Sequence, residues 1–142
     1  MNLETDLIVH LISRIRRKTT AFILDALSKH GLKELVPVHG DVLYALFRFD
    51  ELSMKEISSI VGRKKSSVTT IVEKLMKLQY VKKVRDENDN RSYRISLTSK
   101  GRSFSSTISE ISEDLIKKVY KDMPVTERVQ LVKSLRRIDD NW

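Results

Sequence analysis

Basic side chains are concentrated in the middle of this 142-residue chain. Between Arg63 and Arg94 there are ten lysines and arginines but only four acidic residues, so less than a quarter of the sequence carries most of the net charge of +8. Lysine and arginine bind phosphate groups, and a local cluster of this kind is what a nucleic acid backbone requires. A charged surface that contacts only solvent is the alternative interpretation.

The first part of this cluster combines positive charge with small hydroxyl side chains at the start of a predicted helix. Side chains in the first turn of such a helix reach base edges when the helix enters the major groove, and the helix N-terminus favours a phosphate. Lys74 lies further along the same helix, within reach of the phosphate backbone. Plain helix capping is the competing explanation for the two serines. The candidate residues are Arg63, Lys64, Lys65, Ser66, Ser67, Thr69, Thr70 and Lys74.

The second part is the segment VKKVRDENDNRSYRISL at residues 81–97, in which two β-prone runs flank a polar turn. A hairpin beside a groove-binding helix can lie along the adjacent minor groove, where narrow A·T-rich DNA attracts arginine. Asp89 can brace Arg91 through a charge-assisted hydrogen bond, or it can serve only as a turn former. The candidate DNA contacts in this segment are Lys83, Arg85, Asn90, Arg91 and Arg94.

The periodicity of apolar residues predicts the elements that hold these side chains. Ser53 and Glu56 form a capping-box pattern, and Gly62 is a typical helix stop. Tyr93, Ile95 and Leu97 alternate with polar residues, so the return strand is predicted to have one apolar face. The fold class is therefore mainly α, a winged helix-turn-helix with a β-hairpin wing. The predicted helices cover about residues 3–30, 37–49, 53–62, 66–78 and 99–121, and a last helix begins at Pro124.

The terminal helices have more apolar surface than a middle module of this size can cover. We therefore predict a single domain at 1–142, in which 36–98 is the winged helix-turn-helix and 1–31 and 99–142 are helical dimerisation regions. Excess apolar helix surface of this kind indicates a homodimer. Packing of the same helices within a monomer is the alternative.

Several classes of protein and site are disfavoured. Cysteine is absent, which excludes disulfides and thiolate metal sites, and the three histidines are too sparse for a metal centre. Nothing resembles a catalytic nucleophile and base, so neither an enzyme nor a cofactor is expected. No apolar run reaches 18 residues and the first 20 lack the apolar region of a secretory signal, which predicts a cytoplasmic protein without a membrane partner.

Two features remain open at this stage. Gly40 inside a predicted helix costs about 1 kcal/mol relative to alanine, and it can make room for a ligand or for a close helix contact. The basic segment RIRRK at residues 14–18 can contact DNA, an acidic partner or only solvent.

The run from LSMKEISSIVG to ISLTSKG resembles the MarR-type (multiple antibiotic resistance regulator) winged-helix transcription factors. The strongest match is DNRSYRISLTSKG, which is similar to the wing signature of that family: Asp89, Arg91, Leu97, Thr98 and Gly101 occupy its defining positions. The segment SSVTTIVEKL is similar to the family's recognition helix.

The resemblance implies a homodimer held by the N- and C-terminal helices that binds a pseudo-palindromic operator in double-stranded DNA. It also implies a repressor that a small aromatic or anionic effector releases by entering the crevice between the dimerisation helices and the winged domain. Three departures stand out: Arg63 occupies a position that is usually apolar, Gln79 replaces the usual glycine, and the peroxide-sensing cysteine is missing. We thus predict a homodimeric DNA-binding transcriptional repressor, with a winged-helix protein-interaction module as the alternative.

Overall fold

The computed structural model describes residues 3–142. Within this range the chain forms helices and a small sheet in the order expected for a winged helix, so the prediction of a mainly α winged-helix fold is confirmed. The helices are α1 Leu3–Asp6, α2 Ile8–Lys29, α3 Pro37–Phe49, α4 Met54–Val61, α5 Lys65–Lys77, α6 Ser99–Ser103, α7 Ser105–Val119 and α8 Val125–Asp139. The strands are β1 Glu51–Ser53, β2 Val81–Arg85 and β3 Tyr93–Leu97.

Two of the predicted helices are interrupted. The helix expected over residues 3–30 is divided at Leu7 into α1 and α2. The helix expected over 99–121 is divided at Phe104 into the short α6 and the longer α7. At this second break the Phe104 ring packs edge-on against Tyr80, with 5.5 Å between the ring centroids. The interruption therefore places an aromatic contact between the terminal helices and the start of the wing.

The ends of α4 follow their local sequence signals. The Ser53 hydroxyl accepts a hydrogen bond from the Glu56 N–H at 3.1 Å, and the Glu56 carboxylate accepts one from the Ser53 N–H at 2.7 Å. Gly62 ends the helix in the left-handed conformation at φ 66°, which glycine adopts without steric cost. The predicted capping box and stop are both confirmed.

The sheet contains a strand that the sequence did not reveal. β3 is the central strand of a three-stranded antiparallel sheet of order β1-β3-β2, so the wing extends from a sheet and is not a free two-stranded ribbon. Ile95 and Leu97 are buried as predicted, but Tyr93 is 37% exposed. The expectation that Tyr93 belongs to the buried apolar face of the strand is therefore wrong, because the apolar core ends at Ile95 and Tyr93 lies beyond it, towards the turn.

The end of α5, the sheet and α6 meet at the backbone of Tyr80. The Tyr80 side chain is 1% exposed, and its hydroxyl donates to the Glu34 carboxylate at 2.7 Å. Its carbonyl accepts the Thr98 N–H at 3.0 Å. A Cβ added to Gly101 would lie 2.0 Å from the same carbonyl, a distance that no side chain tolerates. Glycine is therefore required at position 101 by the close approach of two backbones.

Gln79 makes the turn between α5 and β2. Its φ of 66° lies in the left-handed region, the conformation for which glycine is usually selected. A non-glycine residue there costs roughly 1–2 kcal/mol. The chain therefore makes the reversal expected of the family pattern, but with strain that a glycine would avoid.

We expect Gly101→Ala to lower the free energy of unfolding by about 1–3 kcal/mol or more, because the new methyl group collides with the Tyr80 carbonyl. Urea denaturation followed by circular dichroism measures this change. Gly40→Ala is the matched control, since no atom lies within 4 Å of its added Cβ. That control should be neutral or more stable by about 1 kcal/mol. Equal stability of Gly101→Ala and the wild type would contradict the assigned role.

Candidate nucleic-acid interface

The first turn of α5 presents its polar side chains to solvent. Lys64 is the N-cap residue and its side chain makes no capping hydrogen bond, so Ser66 and Ser67 lie inside the first turn. The explanation of these serines as N-caps is therefore wrong. Both are exposed, while Val68 and Val72 are buried on the opposite face. The uncapped N–H groups and the two hydroxyls face the same solvent-accessible space.

The two threonines of α5 differ from the serines in their hydrogen bonding. The Thr69 hydroxyl donates to the Lys65 carbonyl at 2.9 Å, and the Thr70 hydroxyl donates to the Ser66 carbonyl at 3.4 Å. A hydroxyl that donates to the helix backbone retains its lone pairs as acceptors. In this conformation the threonines offer acceptors, whereas the serines can also donate.

Glu73 is a candidate that the sequence reasoning did not select. Ser66, Thr70, Glu73 and Lys77 follow one another at helical spacing and are all exposed, so they form the outward face of α5. Although Lys77 lies four residues after Glu73, no ion pair joins them in the structure of residues 3–142. The helical spacing alone could have identified this free carboxylate among the basic residues.

Basic side chains flank this face at both ends. Arg63, Lys64 and Lys65 are exposed before and at the start of α5, and Lys74 is exposed near its end. Lys74 also lies close enough to α3 to act on His39. The pKa of His39 is held below its ordinary value mainly by burial and secondarily by the positive charge of Lys74. Lys74 is thus on the flank of α5 that faces α3, beside the outward face and not at its centre.

The turn of the wing is stabilised by two aspartates. The Asp86 carboxylate accepts the Asn88 N–H at 3.0 Å, and the Asp89 carboxylate accepts the Arg91 N–H at 2.9 Å. Asp89 therefore braces the backbone at Arg91 and does not pair with its guanidinium. In the described part of the chain the Arg91 guanidinium has no hydrogen-bond or ion-pair partner, and Asn90 beside it is also exposed.

The strands divide the remaining basic candidates between two faces, because successive side chains of a strand point in opposite directions. Lys83 and Arg85 share the face of Tyr93, and the Lys83 ammonium lies 4.3 Å from the centroid of the Tyr93 ring. Both are exposed and project beyond the core that Ile95 helps to form. They remain available to a partner.

Arg94 points to the opposite face and is engaged within the chain. Its guanidinium donates to the Glu51 carbonyl and to the Glu56 carboxylate, each at 3.0 Å. The Ser53 N–H, and to a smaller extent Arg94, hold the pKa of Glu56 below its usual range. Arg94 thus ties β3 to β1 and to the start of α4, which makes it a weaker candidate for a DNA contact than Arg91.

A comparison with known families adds to this geometry. Residues 35–93, which include α3, α4, α5 and the hairpin, match the model of the MarR family. The winged-helix region of this chain is therefore similar to the MarR family. The relatives found by sequence include the HTH-type transcriptional regulator SarZ of Staphylococcus aureus, with 33% identity over 87 residues. That alignment covers 61% of this chain and 56% of SarZ, so the chain matches little more than half of its curated relative.

Solved structures of MarR-type proteins share the fold over almost the entire chain. BpsR of Bordetella bronchiseptica, whose DNA binding is regulated by 6-hydroxynicotinic acid, superimposes with a TM-score of 0.81 and 21% identity, covering 94% of this chain and 93% of BpsR. A mutant MarR from E. coli in complex with operator DNA gives a TM-score of 0.79 and 18% identity, covering 97% and 99% of the two chains. At these identities the likeness establishes the fold alone.

The described residues 3–142 contain neither a candidate membrane-spanning helix nor a candidate metal cluster. No helix there has the length and apolar character needed to cross a membrane. No group of three or more histidine, aspartate or glutamate side chains in that range is arranged to hold a metal ion.

Two neighbouring arginines should respond differently to truncation. Arg94→Ala should lower the free energy of unfolding by about 1 kcal/mol, because Glu51 and Glu56 lose their shared cation. Arg91→Ala should leave stability unchanged within about 0.5 kcal/mol, since its guanidinium has no partner within the described chain. Thermal and urea denaturation of the two variants measure the difference. If Arg91→Ala proved the more destabilising of the two, the assigned contacts would be incorrect.

Proposed function

We propose that this protein is a homodimeric, DNA-binding transcriptional repressor of the MarR type that acts in the cytoplasm. It binds a pseudo-palindromic operator and is released by a small-molecule effector. The observation that carries the proposal is the exposed polar and basic surface formed by the first turn of α5 and the wing, where Arg91 and the cations around Ser66 make no ion pair within the described chain. The name of SarZ and the operator complex of MarR support the same function.

In the proposed complex α5 is the recognition helix and enters the major groove. Ser66 and Ser67 contact base edges or phosphates, and the uncapped N–H groups of the first turn bind a backbone phosphate. Thr69 and Thr70 serve as acceptors. Glu73 provides a further acceptor on the outward face, which matches the amino group that cytosine presents in the major groove. Lys64, Lys65 and Arg63 supply phosphate affinity that does not depend on sequence.

The wing is proposed to lie along the adjacent minor groove. Asp89 fixes the backbone N–H of Arg91, so the turn is ordered before DNA arrives while the guanidinium stays free. An arginine held in this way suits a narrow minor groove with strongly negative potential. Lys83 and Arg85 track the phosphate backbone, and Asn90 contributes a polar contact beside Arg91.

A second copy of the chain is the proposed partner of the terminal helices. The helix α8 has no buried residue, and Val125, Val129 and Leu135 on it are exposed. Ile12 and Ile15 are likewise exposed on the N-terminal part of α2. Apolar helix faces of this extent require a cover in water. A two-fold dimer would cover them and would place two recognition helices at half-sites roughly 10 bp apart.

An effector is proposed to bind in a crevice between the terminal helices and the winged region. The crevice has a volume of about 200 Å³ and lies between α2, α3 and α7, with Ile23, Leu27 and Ile108 in its walls. The regulation of BpsR by 6-hydroxynicotinic acid is a precedent for a single-ring effector in a protein of this fold.

The competing function is a winged-helix module that binds another protein without specific DNA recognition. The two differ in salt dependence, because phosphate binding releases counterions and makes log K fall steeply with log salt.

Arg91→Ala should weaken binding to an operator selected from genomic fragments by about 1–3 kcal/mol without loss of fold. Fluorescence anisotropy titrations at salt concentrations from about 50 to 200 mM measure both the affinity for DNA and its dependence on salt, since phosphate contacts weaken strongly over that range. Arg94→Gln is the control, since its side chain is engaged within the chain. Unchanged affinity of Arg91→Ala would remove the wing from the mechanism. A flat salt dependence of the wild type would favour the protein-binding alternative.

Assembly is tested by mutation of the exposed apolar face of α2. The wild type should scatter light as a dimer at micromolar concentration, and Ile12→Asp should shift it towards monomer, because a buried charge at an interface is strongly unfavourable. Ile60→Asp is the matched control, since Ile60 is similarly exposed but lies on α4. A monomeric wild type would refute the dimer.

A further inference from the structure

The walls of the effector crevice are almost entirely apolar, and one charged side chain lies among them. Ile23 and Leu27 of α2 face Ile108 and Ile111 of α7 across the opening. Asp41 of α3 is the only charged residue among those that line it. The Ser112 hydroxyl, also at the wall, donates to the Ile108 carbonyl at 2.9 Å and is therefore already satisfied. The only charged group among the lining residues is therefore the Asp41 carboxylate, which belongs to an exposed residue at the crevice opening.

Asp41 is the charged group without a direct partner at this site. Its carboxylate makes no hydrogen bond or ion pair with any side chain in residues 3–142, although Arg63 is close enough to act on it electrostatically. Partial burial raises the pKa of Asp41 above its ordinary value, and Arg63 opposes this shift only in part. A carboxylate in this setting gains from a cation or hydrogen-bond donor and loses from a second anion.

Gly40 explains how a ligand can reach this carboxylate. It lies within α3, where glycine weakens a helix, yet no atom lies within 4 Å of the position that its Cβ would occupy. The space beside Gly40 therefore opens into the crevice, and a close helix contact does not account for it. This open space favours room for a ligand as the role of Gly40.

We propose that the crevice selects a small organic cation with a single-ring apolar body, whose ammonium group lies beside Asp41 while its ring occupies the space next to Gly40. The volume of about 200 Å³ suits such a molecule, because an apolar cavity of roughly 150 Å³ already holds benzene. This inference rests on the effector crevice of the proposed function and narrows the aromatic or anionic effector predicted from the sequence to an aromatic cation.

The test uses three probes that share one ring and differ in charge: 2-phenylethylammonium, 2-phenylethanol and phenylacetate. Isothermal titration calorimetry of the free wild-type protein at neutral pH and low salt measures their affinities. The cation should bind about tenfold or more tightly than the anion, with the alcohol in between, as expected for an ion pair of partly exposed groups. Phenylacetate binding as tightly as the cation, or no binding of any probe at millimolar concentration, would overturn the proposal.

Two variants distinguish the contribution of the Asp41 charge from that of the space beside Gly40. Asp41→Asn should reduce binding of 2-phenylethylammonium to the level of the neutral alcohol and leave the alcohol unchanged. Gly40→Ala should weaken the binding of all three probes by a similar factor while raising the melting temperature. A loss of fold would instead lower the melting temperature. Retention of the cation preference in Asp41→Asn would show that the selectivity arises elsewhere and would refute the assignment.

These titrations need no DNA, so their outcome does not depend on whether the protein is a DNA-binding regulator. If the protein binds the cation but forms no salt-dependent DNA complex, this inference is supported and the proposed function is refuted. If the protein binds its operator but prefers phenylacetate, the proposed function is supported and this inference is refuted.

Discussion

The contact between the Tyr80 carbonyl and the α-carbon of Gly101 is the constraint on which the winged region depends. The proposed recognition helix α5 ends just before this point, and the wing begins at it. The same carbonyl accepts the Thr98 N–H, so the return strand of the wing is fastened where the outgoing strand starts. Because the contact is between backbones, the angle between α5 and the wing does not depend on the rotamers of long surface side chains.

The side chains around this contact connect it to other elements of the chain. The Lys100 ammonium donates to the Leu78 carbonyl at 2.9 Å and lies 4.5 Å from the centroid of the Tyr80 ring. The Tyr80 hydroxyl reaches Glu34, which precedes α3, and burial together with that carboxylate raises the pKa of the phenol. The phenol is therefore a hydrogen-bond donor at any physiological pH. A single buried tyrosine thus joins the wing, α5 and the connection between α2 and α3.

The parts of the fold that were predictable from the sequence are those with local causes. The Ser53 and Glu56 capping box and the Gly62 stop depend on residues within one or two turns, and the structure contains both. The strand β1 has no such signal, since three residues at Glu51–Ser53 become a strand only by pairing with β3 more than forty positions later. Tyr93 was misplaced because alternation indicates the faces of a strand but not where the core ends.

The same distinction holds for the candidate interface. The basic cluster and the start of α5 followed from charge and helical spacing, which are properties of the sequence itself. Arg94 could not be separated from Arg91 in that way, since both are wing arginines and only the position of Glu56 in space distinguishes them. Glu73 was not predicted because the candidates were selected for positive charge or hydroxyl groups, and this acidic residue shares the outward face of α5 with them.

The route from the proposed effector crevice to the wing is short. Ile108 and Ile111 of α7 form one wall of the crevice, and α7 follows Phe104, whose ring packs on Tyr80. A ligand changes the balance between two arrangements only to the extent that it binds one of them more tightly. An occupant that separates α7 from α3 would alter the position of Phe104 against Tyr80, the residue whose carbonyl fixes the wing to α5. Through the backbone contact at Tyr80, a displacement of α7 would therefore reach both α5 and the wing, the two parts of the proposed DNA-binding surface.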